Sequence, residues 1–115
     1  MESSILKTIR RSITGSSENT FFDEDLIMAA NVGFLTLTQL GVGPEEGFIV
    51  EDEKTKWEDF TDDELLLTTV NTYICRRTRL EFDPPTGSVL EALKASIDQM
   101  EWRLRHAVEI QMGKL

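Results

Sequence analysis

Two consecutive prolines, Pro84 and Pro85, constrain this chain more than any other feature of its sequence. Neither carries a backbone N–H, and Pro84 pushes Asp83 away from helical angles, so the helical pattern of residues 73–81 cannot run on into the one that begins at Val89. The chain must turn through Phe82, Asp83, Pro84, Pro85, Thr86, Gly87 and Ser88. Ser88 and Glu91 have the spacing of a capping box, which predicts a new helix from Val89. The break fixes an angle between two helices, and the rest of the sequence reads as support for that corner.

Upstream of the corner, Thr61 and Glu64 form a second capping box and Phe60 is spaced to staple against Leu65, which predicts a helix from Asp62. Leu66, Val70, Tyr73, Ile74 and Leu80 share one face of it. Arg77 falls on that face and must snorkel to water or find a carboxylate, since burying it unpaired costs several kcal/mol; Glu101 on the next helix is the candidate partner of a buried ion pair. Arg76 and Arg79 point elsewhere, either as solvated helix surface or as contacts to acidic surfaces of a partner or neighbouring subunit.

Downstream, Leu90, Leu93, Ile97, Met100, Leu104 and Val108 form a heptad-like stripe on a helix that reaches at least Arg105. Trp102 lies off the stripe. It is either covered by another part of the chain, such as the opening helix, or an anchor for a partner, with Arg103 beside it as a candidate contact. Residues 1–4 and 107–115 read as flexible ends.

In the first half, Ile5, Leu6, Ile9 and Ile13 recur at helical spacing among Lys7, Arg10 and Arg11, predicting a short amphipathic helix that frays unless docked. Gly15, Ser16 and Ser17 break it. Asp23 is positioned as an N-cap, with Phe22 stapling against Ile27, and Ile27, Ala30, Phe34 and Leu37 form a stripe that ends at Leu40 and Gly41, a glycine suited to the left-handed terminal position. A turn-rich connector leads to Phe48, Ile49 and Val50, which predict a short strand. Residues 51–56 then form a loop, hairpin tip or projecting segment before the apolar anchors Trp57 and Phe60. The expectation is one mainly all-α domain over residues 1–115: three main helices, a short N-terminal helix, and a β segment or projecting loop around Phe48 to Lys56.

Composition narrows the function. At 115 residues and 40% hydrophobic content the chain suits a single modest core. Its net charge of -9 divides as +2 over residues 1–17, -12 over 18–64 and +1 over 65–115. So acidic a surface disfavours a protein that grips duplex DNA by counterion release. The acids either solvate loops or serve an interface. No apolar run approaches the ~20 residues that cross a bilayer, and no h-region follows the N-terminal cations. Cys75 and His106 are single, which gives neither a disulfide, a metal cluster nor a nucleophilic triad. The run around Asp52 lacks the glycine and spacing of an EF-hand, and the stretch of residues 41–47 lacks the Gly-Lys-Ser/Thr of a phosphate loop. No carboxylate pair sits in an apolar context that would raise one pKa. No enzymatic activity and no cofactor are expected.

Taken together, Gln39, Leu40, Gly41, Val42, Gly43 and Pro44, then Trp57, Asp59 and Phe60, then Val70, Tyr73, Ile74, Arg79, Phe82, Asp83, Pro84 and Pro85, with Glu101, Trp102, Arg103 and Leu104 at the end, resemble the head-tail connector family of tailed bacteriophages. The resemblance spans about residues 5–105, and the Phe-Asp-Pro-Pro turn followed by a helix ending in Glu-Trp-Arg-Leu is its most specific part. It implies a small helical protein without enzymatic activity that assembles as a homo-oligomeric ring under the portal protein after packaging. Such a ring extends the DNA channel and docks the next connector, stopper or tail component. It implies a place at the virion head-tail interface, reached from the host cytoplasm during assembly, and DNA passing without sequence-specific binding. On that reading Glu51, Asp52 and Glu53 are candidate channel-facing acids, and Arg76, Arg79, Trp102 and Arg103 candidate intersubunit or portal contacts. A monomeric helical adaptor or regulatory binding module remains the alternative, and the isolated chain need not be oligomeric.

Overall fold

The computed structural model describes residues 2–111, whose regular elements are five helices: α1 (Ile5–Thr14), α2 (Asp23–Gln39), α3 (Trp57–Phe60), α4 (Glu64–Phe82) and α5 (Gly87–Gln111). The three main helices and the short opening helix are where the periodicity put them. A fifth, α3, is a single turn closed by Asp59, whose carboxylate accepts from the Lys56 N–H at 2.9 Å.

Helix α4 is central, packing along α2 and touching α1 and α5 on its flanks. The α2/α4 crossing is close because position 33 is glycine. A Cβ there would lie 3.0 Å from Ile74 Cδ1 and 3.2 Å from Arg77 Cγ. The core between these helices holds Leu26, Ala30, Phe34 and Leu37 of α2, Val70, Tyr73 and Ile74 of α4, Ile5, Leu6 and Ile9 of α1, and Ile97 and Leu104 of α5. Helix α1 is therefore docked, and it is well terminated. Ser4 Oγ accepts from the Lys7 N–H, and Gly15, at φ +85°, donates its N–H to Arg11 O at 3.0 Å.

The connector between α2 and α4 forms one end of the core. Gly41, at φ +83°, ends α2 as expected, and the chain folds back so that the Val42 N–H donates to Leu37 O at 2.9 Å. Phe48 then meets Phe34 (4.9 Å between ring centroids) and Phe60 (5.2 Å), and Trp57, fully buried, donates its indole N–H to Thr8 Oγ1 at 3.1 Å. These rings supply much of the burial energy on this side, at about 1.5–3 kcal/mol for each large apolar side chain.

Four expectations are corrected. Residues 48–50 are not a strand: Asn31 on α2 substitutes for a strand partner, its amide accepting from the Val50 N–H at 2.8 Å and donating to Val50 O at 3.2 Å. One side chain satisfies the two Val50 groups that a ladder would have paired. The cap of α4 is Asp63 rather than Thr61; its carboxylate accepts from the Leu65 and Leu66 N–H groups at 3.1 Å, and Leu65 is 85% exposed and so staples nothing. Asp23 is the first helical residue of α2, not its N-cap, because its carboxylate is engaged elsewhere. Helix α5 opens at Gly87, two residues before Val89, so Ser88 sits in the first turn and does not cap it.

Ser4 pairs with Lys56 in an isolated antiparallel bridge and Ser3 O accepts from the Trp57 N–H at 3.0 Å, so residues 3 and 4 are held to the core. Residues 107–111 continue α5, and Val108 lies against the Gly41 turn. Residues 1 and 112–115 lie outside the described part. No helix among the described residues is long and apolar enough to cross a membrane.

Candidate assembly surface

Arg10 is the hidden organiser of the acidic half. It is 3% exposed, forks onto Asp23 with Nε at 2.8 Å and Nη2 at 2.6 Å, and sends Nη1 to Glu53 at 3.0 Å and Ser17 O at 3.1 Å. The hydrogen bonds that the guanidinium donates to Asp23, reinforced by Glu53, raise its pKa further above its ordinary value despite burial. One cation thus ties α1, the start of α2 and the tip of the 51–56 segment together. Sequence grouped Arg10 with Lys7 and Arg11 as surface charge; its partners stand 13 and 43 residues away, beyond any local pattern.

The tip itself is split. All three acids are exposed; Glu53 is tied to Arg10 and half covered by it, while the Asp52 carboxylate accepts from the Lys54 N–H at 2.8 Å. Of the three candidate channel-facing acids, Glu51 and Asp52 stand outside the Arg10 network and the half-exposed Glu53 is a strut within it.

Arg77 and Glu101 are not brought together as an ion pair. Glu101 accepts from the Tyr73 hydroxyl at 2.7 Å, and Arg77 reaches Glu81 one turn on at 3.6 Å. The Arg77 stem is pinned beside Gly33, which directs its head along its own helix, and its Nε is left buried without a partner. Burial, then the bond to Glu101, pushes the Tyr73 phenol pKa up.

The corner is built as the prolines dictate. The Asp83 N–H donates to Arg79 O at 2.9 Å to close α4, Pro84 and Pro85 carry the chain round, and Gly87 enters α5 at φ +62°, a left-handed angle that suits glycine. Phe82 anchors it, edge-on to Phe22 at 5.3 Å. Phe82 also lines a groove with Asp25, Met28, Ala29 and Val32, so the corner abuts the outer side of α2.

That outer side carries a feature missed in the sequence. Met28, Val32 and Leu35, at i, i+4 and i+7, are 70%, 40% and 57% exposed, and Leu35 shares a groove with Phe48 and with Ile49, which is 59% exposed. Helix α2 is apolar on both sides: one stripe fills the core and a second faces outward. The second was legible as spacing, but a single inward stripe accounted for the helix and masked it.

The arginines of α4 sit on another face. Arg76 bonds to Ser96 Oγ and lies 3.6 Å from Met100 Sδ on α5, while Arg79 is exposed. With Arg11 of α1 they line a groove of about 490 Å³ floored by Thr72 and Cys75. Burial raises the Cys75 thiol pKa, which leaves it a poor nucleophile. Trp102 is 63% exposed and stacks on His106, with centroids 4.9 Å apart and planes 10° from parallel; α1 does not cover it. Arg103 beside it is exposed. Among the described residues no group of three His, Cys, Asp or Glu side chains is placed to hold a metal ion.

A small, compact all-α fold whose notable surface features are helix faces is the setting for the comparison with known proteins. A family model described as phage connector protein matches residues 5–111, and the chain belongs to that family. Its structural role at the phage head-tail junction follows from that membership. No curated protein and no solved structure matches the chain.

Proposed function

We propose that this protein is a ring-forming connector: copies assemble against the portal after packaging, extend the DNA channel and present a surface to the next connector, stopper or tail component. It acts without catalysis or a cofactor, at the virion head-tail interface, after synthesis in the host cytoplasm. Family membership supports this reading. The observation that carries it is the outward stripe of Met28, Val32, Leu35 and Ile49, an apolar face that core packing does not use. Burying it between subunits removes its area from water at about 25 cal/mol per Å². The corner at Pro84 and Pro85, whose Phe82 borders the same stripe, sets the shape that a neighbouring subunit must match. Trp102 and Arg103 supply a second contact, toward the portal or the tail.

Native mass spectrometry of the protein alone and with a portal ring of its phage tests this. The expected result is a monomer or small species alone and a closed ring on the portal. Met28→Glu with Leu35→Glu leaves helicity intact, because both positions are exposed, and abolishes the ring. A parent protein that stays monomeric and ignores the portal is a helical adaptor or regulatory binding module instead.

A further inference from the structure

In a chain of net charge -9 with 21 acidic residues, Arg11, Arg76 and Arg79 converge on one groove and none of them forms an ion pair with a described carboxylate. Three guanidinium groups without a carboxylate partner are an electrostatic vacancy in so acidic a chain, and Thr72 and Cys75 in the groove lining offer methyl and thiol surface to an apolar side chain. Its complement lies elsewhere on the same helix. Asp62 and Glu64 are exposed at the start of α4, and Leu65 next to them is 85% exposed with no packing role inside the subunit.

Leu65, Thr72, Arg76 and Arg79 stand at i, i+7, i+11 and i+14, so they share one face of α4. The acidic, apolar end and the arginine end are separated along that face by roughly 21 Å of helix. A helix holds its ends apart, so the two can meet only between copies. We propose that the arginine groove of one subunit receives the Asp62, Glu64 and Leu65 segment of the next, carboxylates on the arginine rim and Leu65 over the Thr72 and Cys75 floor. Joining two different patches makes a head-to-tail contact, which closes into a ring when the rotation allows. The proposal rests on the ring reading above and names its electrostatic contact. DNA phosphate is the weaker occupant, since the surrounding acid repels it.

The test compares five proteins for ring formation on the portal by native mass spectrometry: the parent, Arg11→Glu with Arg79→Glu, Asp62→Lys with Glu64→Lys, all four of these changes combined, and Leu65→Ser. Circular dichroism verifies folding, and Leu65→Ser, at an exposed site, serves as an independent lesion in the segment. Each pair of changes alone, and Leu65→Ser, is expected to lower the ring fraction by about tenfold, and the fourfold exchange to restore most of it. Pairs that assemble like the parent, or a combined variant that fails to recover, overturn the groove contact while leaving the ring intact. A parent that does not assemble, or that stops at a two-fold dimer, overturns the ring reading and this contact with it. Loss of short duplex DNA binding in the arginine variant with assembly unchanged reassigns the groove to phosphate and overturns the proposal.

Discussion

Two buried polar side chains, Arg10 and Tyr73, fix how the helices meet. Arg10 is nearly inaccessible and fully paired, so removing it strands Asp23 without its cation. Arg10→Met is expected to cost about 3 kcal/mol, read as a fall in the urea midpoint at constant m-value. Glu53→Gln, at a half-exposed partner, should cost less than about 1 kcal/mol. Equal losses would mean that the tip, and not the Asp23 fork, is the important arm. Tyr73 gives a pH signature. Its folded pKa lies above the ordinary 10.0, so the unfolded chain loses the phenolic proton first. Stability from this group is complete below pH 10 and is lost as the pH rises above it. Chemical denaturation from pH 8 to 11 should show a decline that Tyr73→Phe flattens, after allowance for the hydrogen bond to Glu101 lost at every pH.

Among the elements, the connector between α2 and α4 is the least forgiving. Gly43 has φ +88°, and a Cβ there would sit 2.4 Å from the Phe60 ring, whereas Gly15 at φ +85° has nothing within 4 Å. Gly15→Ala therefore meets only the left-handed backbone penalty, about 1 kcal/mol, and Gly43→Ala adds overpacking for a total of about 3 kcal/mol, a contrast that thermal melts resolve. At the corner, Pro84→Ala with Pro85→Ala should leave helicity nearly unchanged yet impair ring assembly, because Pro84 is exposed and Pro85 half-buried; equal loss of both would make the corner a folding device only. The helices and the corner were legible because prolines, helix-ending glycines and apolar periodicity are local signals. The failures have equally physical causes. Phe48 to Val50 have strand propensity, yet a single amide on α2 meets the hydrogen-bonding need of Val50. The Thr61 box has the right spacing, but Asp63 stands closer to the first free N–H groups. The Arg77 and Glu101 pairing was sound for charge and wrong for direction, since the close approach at Gly33 holds the arginine stem.

For the whole molecule, charge and apolar surface are segregated. The -12 of residues 18–64 is divided by the fold: Asp23 and Glu53 are consumed by Arg10, Asp59 and Asp63 by helix starts, and Glu51 and Asp52 stay free at the tip. In the proposed ring, that division decides which acids could act on passing DNA. If the tip approaches the channel, its like charge lets the duplex slide without the counterion release that would hold it. Glu51→Lys with Asp52→Lys should then make assembled rings retain duplex DNA, more strongly at low salt than at high, while Glu53 is left unchanged so that the Arg10 network stays whole. Retention measured by filter binding over a salt series separates this from a merely looser fold, because a disrupted tip would not give a salt slope. Rings that release DNA like the parent at every salt concentration would move the tip to the outer wall, where its acids serve solubility.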